Sequence, residues 1–374
     1  MNSRVRINPR IFSFLFSMYH DHIIIQRTLS LFLSLSHTHT HTPGKKPPEP
    51  GSAAFRAWMQ AGAYDIYAIG LQECKHRDIW LDAIDKHLNG EKRYSTDRDY
   101  VVLSQVSMLN IHLFVFFRKS TIDRRGAVPL CTDSKAMGIG GFVGNKGSIC
   151  ASFVLAETTH VCFVVSHFAA RASRLKKRQK NYIESVSHMS NHVKHQLLHS
   201  YDHLFWLGDF NYRVDLGSHG TPAEFQRVNA YIKQNKFDSL VRCDQLRQQM
   251  LLGNVFYGFS EGEIDFAPTY RMEPGSSRTY GNKRNQNPSY CDRVLWRSRE
   301  GLSDILKLNA YEPIWEMNKG DHRPVVAEFE MYVELCFFFS HILFFSYAYT
   351  HTHTHTQINS PTQVHKKTVP ISRS

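Results

Sequence analysis

The sequence predicts a mixed α/β domain in which β-sheets pack on one another with helices outside them, and three observations carry this. Short β-branched and aromatic runs recur between residues 66 and 333. Helical segments separate some of them, but without the regular βαβ alternation that builds a wholly parallel sheet. The chain of 374 residues, 42% hydrophobic and 21% charged, is long enough to bury one large core or two small ones. This composition excludes a collagen-like, disulfide-scaffold or fully disordered chain.

The elements follow in order. Ser52 is placed to cap a helix carrying Phe55, Trp58 and Met59 on one face. Ile66 to Gly70 is a buried strand, and Val101 to Gln105 and Ile111 to Phe117 are two more. Ile149 to Leu155 and Val161 to Val165 form a further pair, and Arg171 to about His199 has helical spacing. Leu204 to Leu207 is a strand. Thr221-Pro222-Ala223-Glu224 is a capping box with Pro at the first helical position, opening a helix towards Asn235. Val294 to Trp296 and Pro324 to Val333 close the domain as strands.

Both ends differ from this body. His37 to Thr42 and His351 to Thr356 each read HTHTHT, and Leu31 to Ser36 reads LFLSLS. A (CA)n tract translates as His-Thr and a (TC)n tract as Ser-Leu. Residues 1–43 and 335–374 are therefore expected to be low-complexity tails arising from the gene model, with the folded domain at 44–334. Ile11 to Met18 follows three Arg but lacks a small-residue cleavage site. Leu335 to Ala348 is too short to span a bilayer. The formal charge of +12 divides into +3 in each tail and +6 in the body. A basic body suits an anionic partner: a phosphorylated ligand, an anionic membrane or nucleic acid. Seven Cys without a CxxC pair point to a reducing compartment.

Several apolar runs end in residues that can do chemistry. Ile66 to Leu71 leads into Gln72-Glu73, Val161 to Val165 into Ser166-His167, and Leu204 to Leu207 into Gly208-Asp209-Phe210-Asn211. Asp321-His322 immediately precedes the last strand. Together these carboxylates, His and Asn make one site on a sheet rim. The residue types suit metal-assisted phosphate hydrolysis. Mg²⁺ prefers carboxylate and amide oxygens, an Asp can activate water, and His and Arg can neutralise phosphoryl charge. There is no P-loop, GxSxG or CxxxxxR motif, so no covalent nucleophile is indicated.

Phe205 to Arg213 (FWLGDFNYR) resembles the first signature of the inositol polyphosphate 5-phosphatases, and Pro288 to Trp296 (PSYCDRVLW) the second. Gly144 to Gly147, Pro268 to Arg271 and Asp321 to Val325 support the match. The family belongs with deoxyribonuclease I, exonuclease III and apurinic endonuclease. The resemblance implies a four-layer α/β/β/α sandwich of the endonuclease/exonuclease/phosphatase type, and Mg²⁺-dependent removal of the 5-phosphate from phosphoinositides or inositol polyphosphates. It implies Glu73 as metal ligand, with Asp321 close to the metal shell. Asp209 would activate water, with Asn211 placing water and phosphate. His322, oriented by Asp292, and His167 would contact the scissile phosphate. Tyr270 and Arg271 would contact the neighbouring 4-phosphate, with Lys283 or Arg284 adding to that pocket. Arg293 and Arg213 could bind substrate or form structural ion pairs.

The resemblance also implies phosphoinositide lipids or soluble inositol phosphates as partners, no nucleic acid, and a cytoplasmic protein peripheral at membranes. Six cations, Arg171, Arg174, Lys176, Lys177, Arg178 and Lys180, could face an anionic bilayer. The family's first strand ends in a Trp-Asn pair whose Asn helps to hold Mg²⁺; no such pair occurs here, so the first strand is expected to be missing. Gly320 stands where the family usually has Ser, and Gln286 where it prefers Arg or Asn. Two alternatives stay open: a catalytically impaired phosphoinositide-binding remnant and a same-fold DNA endonuclease.

Overall fold

The computed structural model describes residues 17–19, 22–37, 46–138, 145–192, 197–218, 220–276, 278–282 and 286–338. Lys283, Arg284 and the greater part of both tails lie outside the described residues. The chain divides into two compact units, Met1–Phe14 with Ile25–Leu335, and Leu15–Ile24 with Cys336–Ser374. In the second, strand β1 (Ser17–Tyr19) pairs antiparallel with the beginning of β2 (His22–His37).

The first unit holds the site. Its elements are α1 (Ala53–Trp58), β3 (Ile66–Gln72), α2 (Arg77–Asn89), β4 (Tyr100–Met108), β5 (Ile111–Arg118) and α3 (Lys119–Arg125). β6 (Ala127–Ala136), β7 (Gly147–Leu155), β8 (Thr159–His167), α4 (Leu175–His192) and β9 (His203–Asp209) follow. Helices α5 (Pro222–Lys233), α6 (Phe237–Arg242) and α7 (Gln245–Leu251) lead to β10 (Ser260–Glu261), β11 (Asp292–Ser298), β12 (Leu306–Pro313) and β13 (Val325–Phe338). One sheet runs β12-β13-β2-β3-β5-β4 and a six-stranded sheet runs β10-β11-β9-β8-β7-β6.

Strand alternation sorts side chains into layers. Ile66 and Ala68 of β3, Leu113 and Val115 of β5, and Phe163, Phe205 and Leu207 of the other sheet meet in one core between the sheets. Tyr67, Ile69 and Leu71 point the other way, onto Phe55, Trp58, Trp80 and Ile84 of α1 and α2. Val164 and Trp206 likewise pack under Tyr182, Met189 and Leu246 of α4 and α7. This is the α/β/β/α sandwich. Each fully buried large apolar side chain contributes about 2 kcal/mol. Ser52 and Thr221 cap as expected: their hydroxyls accept from Phe55 N and Glu224 N at 3.3 and 3.2 Å. The Glu224 carboxylate turns instead to the amides of Leu216 and Gly220.

The place of the first strand is not empty. β2 lies between β13 and β3, parallel to β3, with Leu31 opposite Ile66 and His37 opposite Gln72. The repeat-like tract serves because Leu29, Leu31 and Leu33 alternate and bury in the inter-sheet core. The strand closes the sheet without the family's residues: it ends Ser36-His37, and no Trp-Asn pair stands there. Among the described residues, no helix is long and apolar enough to cross a membrane.

Candidate active site

Strand register assembles most of the site. β8 and β9 run parallel and end together, so His167 pairs with Asp209. Asp292, at the start of β11, is the antiparallel partner of Asp209, and Gly147 is that of His167. Gly147, His167, Asp209 and Asp292 thus form one row across the rim of the sheet. Gly208 makes the parallel pairing possible: a Cβ there would lie 2.0 Å from the Ser166 carbonyl oxygen.

Asp209 and His167 are buried, with His167 Nε2 3.2 Å from Asp209 Oδ2. Asn211 sits in the left-handed region at φ 58° and folds back on Asp209. Its amide N–H donates to Asp209 Oδ1 at 2.9 Å and its Nδ2 to Oδ2 at 2.8 Å. The Nδ2 also donates to Phe168 O at 3.2 Å, and Arg213 Nη2 donates to Asn211 Oδ1. The Asn211 amide is therefore fixed with its donors towards Asp209.

A second group comes from loops. The backbone of residues 269–272 runs against 321–323, through Met272 N to Asp321 O at 2.8 Å and Arg323 N to Thr269 O at 3.0 Å. This sets the Tyr270 ring 4.4 Å from the His322 ring, while the Arg213 guanidinium lies over the same Tyr270 ring, 4.2 Å from its centre. His322 Nδ1 contacts Asp292 Oδ1 and Oδ2 at 3.0 and 2.9 Å, and Thr269 Oγ1 donates to Oδ2 at 2.8 Å. Burial pulls the His322 pKa down, but the charge and hydrogen bond of Asp292, with Asp209 and Asp321, leave it raised. Burial raises the Tyr270 hydroxyl.

Glu73 follows β3 at φ 53° and accepts from Asn145 Nδ2 at 3.1 Å. Arg271 Nε donates to Asp321 Oδ2 at 3.3 Å. Among the described residues, no three His, Cys, Asp or Glu side chains converge as a metal cage. The donor set suits Mg²⁺ nonetheless. That ion binds through one or two carboxylates and keeps water and substrate oxygens for the rest, and Glu73 and Asp321 are the carboxylates that would hold it.

Arg293 is not a substrate contact. It is buried, with Nε and Nη2 each 2.6 Å from the Glu261 carboxylate and Nη1 2.7 Å from Asp244 Oδ1. This bidentate pairing commits the guanidinium to the interior. Arg178 is also withdrawn from the basic helix face, buried and bonded to the carbonyls of Ala169 and Arg171 at 3.1 and 2.6 Å. Arg171, Arg174, Lys176, Lys177 and Lys180 stay exposed. The sequence reading did not assign Lys146. Its ammonium reaches His167 Nε2, and burial lowers its pKa to about 8 against the pull of Asp209 and Glu73. The Gly144 to Gly147 motif was the available signal.

Fold and rim define the class: the chain belongs to the endonuclease/exonuclease/phosphatase family 2, whose model matches residues 36–328. Within that family its domain is of the inositol polyphosphate 5-phosphatase kind. The solved inositol polyphosphate 5-phosphatase domain of SPsynaptojanin, in complex with inositol (1,4)-bisphosphate and calcium ion, is 25% identical with a TM-score of 0.67, covering 83% of this chain and 86% of that one. Human synaptojanin-1 is 34% identical over 299 residues, 70% of this chain and 18% of that protein. Human phosphatidylinositol 3,4,5-trisphosphate 5-phosphatase 2 is 34% identical over 282 residues, 72% and 21% respectively. The chain thus spans about a fifth of the length of these curated relatives. A Cimex nitrophorin ferrous NO complex, 19% identical with a TM-score of 0.63 over 82% of this chain and 99% of that one, shares the fold alone. Function is therefore argued from the site.

Proposed function

We propose that this chain hydrolyses the 5-phosphate of phosphoinositides or soluble inositol polyphosphates, with Mg²⁺ as cofactor. The observation that carries the reading is the single rim on which Asp209, Asn211 and His167 meet Asp292 and His322. Asp209 takes a proton from the attacking water, which Asn211 holds in line. The new bond forms from that water to phosphorus, the bond from phosphorus to the inositol 5-oxygen breaks, and that oxygen leaves as a hydroxyl by taking a proton from solvent, to which Asp209 returns its own. His322, oriented by Asp292, and His167 with Lys146 offset the charge on the phosphoryl oxygens. Bound at Glu73 and Asp321, Mg²⁺ would supply Lewis-acid stabilisation. Tyr270 and Arg271 face the neighbouring 4-phosphate, and Arg can hold that anion bidentately. The exposed cations of the α4 region favour a cytoplasmic protein working at anionic membranes.

Asp209→Ala tests this. The parent should release phosphate from phosphatidylinositol 4,5-bisphosphate with Mg²⁺ and stop with EDTA, and the variant should be inactive but folded. Normal turnover by the variant sinks the role of Asp209. One observation favours a second reading, a lipid-binding remnant: β2 ends in Ser36-His37 where the family carries its metal-binding Asn. Lipid binding by the parent without Mg²⁺-dependent turnover would support that reading.

A further inference from the structure

Strand β5 opens Ile111-His112-Leu113-Phe114, and His112 is the one polar side chain in an apolar run that reaches Phe117. It is buried, and register fixes its neighbours: Leu71 of β3 stands opposite on one side and Ser107 of β4 on the other. The ladder between β3 and β5 ends at this level. Two residues beyond Leu71, Glu73 leaves the strand at φ 53°, a left-handed conformation that a Glu keeps only where its surroundings impose it.

The bonds that impose it are made by Cys74. Its N–H donates to the Asn110 carbonyl at 3.0 Å, and its carbonyl oxygen lies 2.8 Å from His112 Nε2. A carbonyl only accepts, so Nε2 carries the ring proton, and Nδ1 accepts from the Ser107 hydroxyl at 2.9 Å. Burial lowers the pKa of His112 against the pull of the Cys74 bond, which suits a neutral ring. A side chain thus does at Cys74 what the next strand residue would do in a continuing ladder. Cys74 is itself buried, so its carbonyl oxygen, deprived of this donor, has to turn to find another. That movement falls on the backbone next to Glu73. The Glu73 carboxylate is held from the β6–β7 connection, where Asn145 Nδ2 donates to Oε1 at 3.1 Å.

We propose that His112 is a positioning residue for the metal site: its Nε2–H fixes the Cys74 carbonyl, and through it the Glu73 turn, in the conformation that presents the carboxylate to Mg²⁺. The inference rests on the 5-phosphatase reading in taking Glu73 as a metal ligand. Groups that hold a ligand in place, without touching the metal, change metal affinity by about 10- to 100-fold when they are removed.

The test titrates the metal-free full chain with Mg²⁺ in a calorimeter and follows amide hydrogen exchange over residues 72–76 without metal. His112→Phe keeps the shape of the ring and loses both nitrogens, whereas His112→Gln carries an amide N–H at about the reach of Nε2. His112→Phe should bind Mg²⁺ roughly tenfold more weakly or worse and exchange faster at Cys74, while His112→Gln should stay within about threefold of the parent. Phosphate release from inositol 1,4,5-trisphosphate by His112→Phe should need about tenfold more Mg²⁺ for half its maximal rate. A purely structural His112 would lower the melting temperature and leave the Mg²⁺ requirement alone. Should His112→Phe not fold, His112→Asn, which reaches only the Nδ1 position, should show the same weakening. Parental Mg²⁺ affinity in either folded variant overturns the proposal, and so does equal weakening by His112→Gln. Parental affinity in Glu73→Gln overturns Glu73 as the ligand, and the role of His112 with it.

Discussion

Replacing Asp292 by Asn keeps the shape of a buried side chain and removes its charge. The native carboxylate receives His322 Nδ1 at 3.0 and 2.9 Å and the Thr269 hydroxyl at 2.8 Å. An amide has one acceptor oxygen, so either His322 or Thr269 faces an NH₂ group that offers no lone pair. A hydrogen bond to a charged group in a protein is worth about 1.5–3 kcal/mol. His322 is proposed to meet the phosphoryl group as charge develops, so the loss belongs in the transition state. Each 1.36 kcal/mol is a factor of ten, so kcat should fall roughly tenfold to 150-fold with KM little changed. The assay is phosphate release from inositol 1,4,5-trisphosphate over a range of substrate concentrations, with a thermal melt to verify folding. A folded Asp292→Asn protein with kcat within about threefold of the parent would falsify the assignment of Asp292 as the group that orients His322.

Other consequences follow from the same structure. Arg213→Lys should lower kcat by about tenfold with a near-parental melt, because an ammonium cannot both bond the Asn211 side chain and stack on Tyr270; unchanged kcat would separate Arg213 from the chemistry. Gly208→Ala places a methyl 2.0 Å from Ser166 O and 2.8 Å from Ser166 N, both backbone, and should destabilise by about 3 kcal/mol or more in urea unfolding; a parental midpoint would contradict the close approach of β8 and β9. Burial lowers the His203 pKa from 6.5 to about 4. The unfolded chain therefore takes up this proton first as pH falls, so the stability contributed by neutral His203 is complete above about pH 6.5 and lost towards pH 4, up to about 3 kcal/mol. His203→Gln should flatten the fall in urea midpoint over that range; an unaltered slope would assign the acid sensitivity elsewhere.

The site was legible because its residues end apolar runs. Once β8, β9 and β11 pair in register, His167, Asp209 and Asp292 have to share a row. Contacts between distant loops were not legible in that way. Nothing near Arg293 in sequence announces Glu261 and Asp244, and charge spacing alone cannot tell an interior guanidinium from a substrate contact. Arg178 is the same case: a count of cations on a helix does not say which one turns inward to the backbone carbonyls of Ala169 and Arg171. Strand β2 was missed for a different reason. Its low-complexity composition masks the Leu29, Leu31, Leu33 alternation, which is all that a buried strand face requires. The short helices α6 and α7 and the edge strand β6 carry weak periodicity and bury few residues, so packing rather than pattern defines them.

The central claim is hydrolysis of a 5-phosphate at the rim around Asp209. The most direct measurement is inorganic phosphate released by the full chain, with Mg²⁺, from inositol 1,4,5-trisphosphate and from inositol 1,4-bisphosphate side by side. Release is expected from the trisphosphate alone, stopping when the metal is chelated. Equal release from both compounds, or none from the trisphosphate by a folded chain, would contradict it.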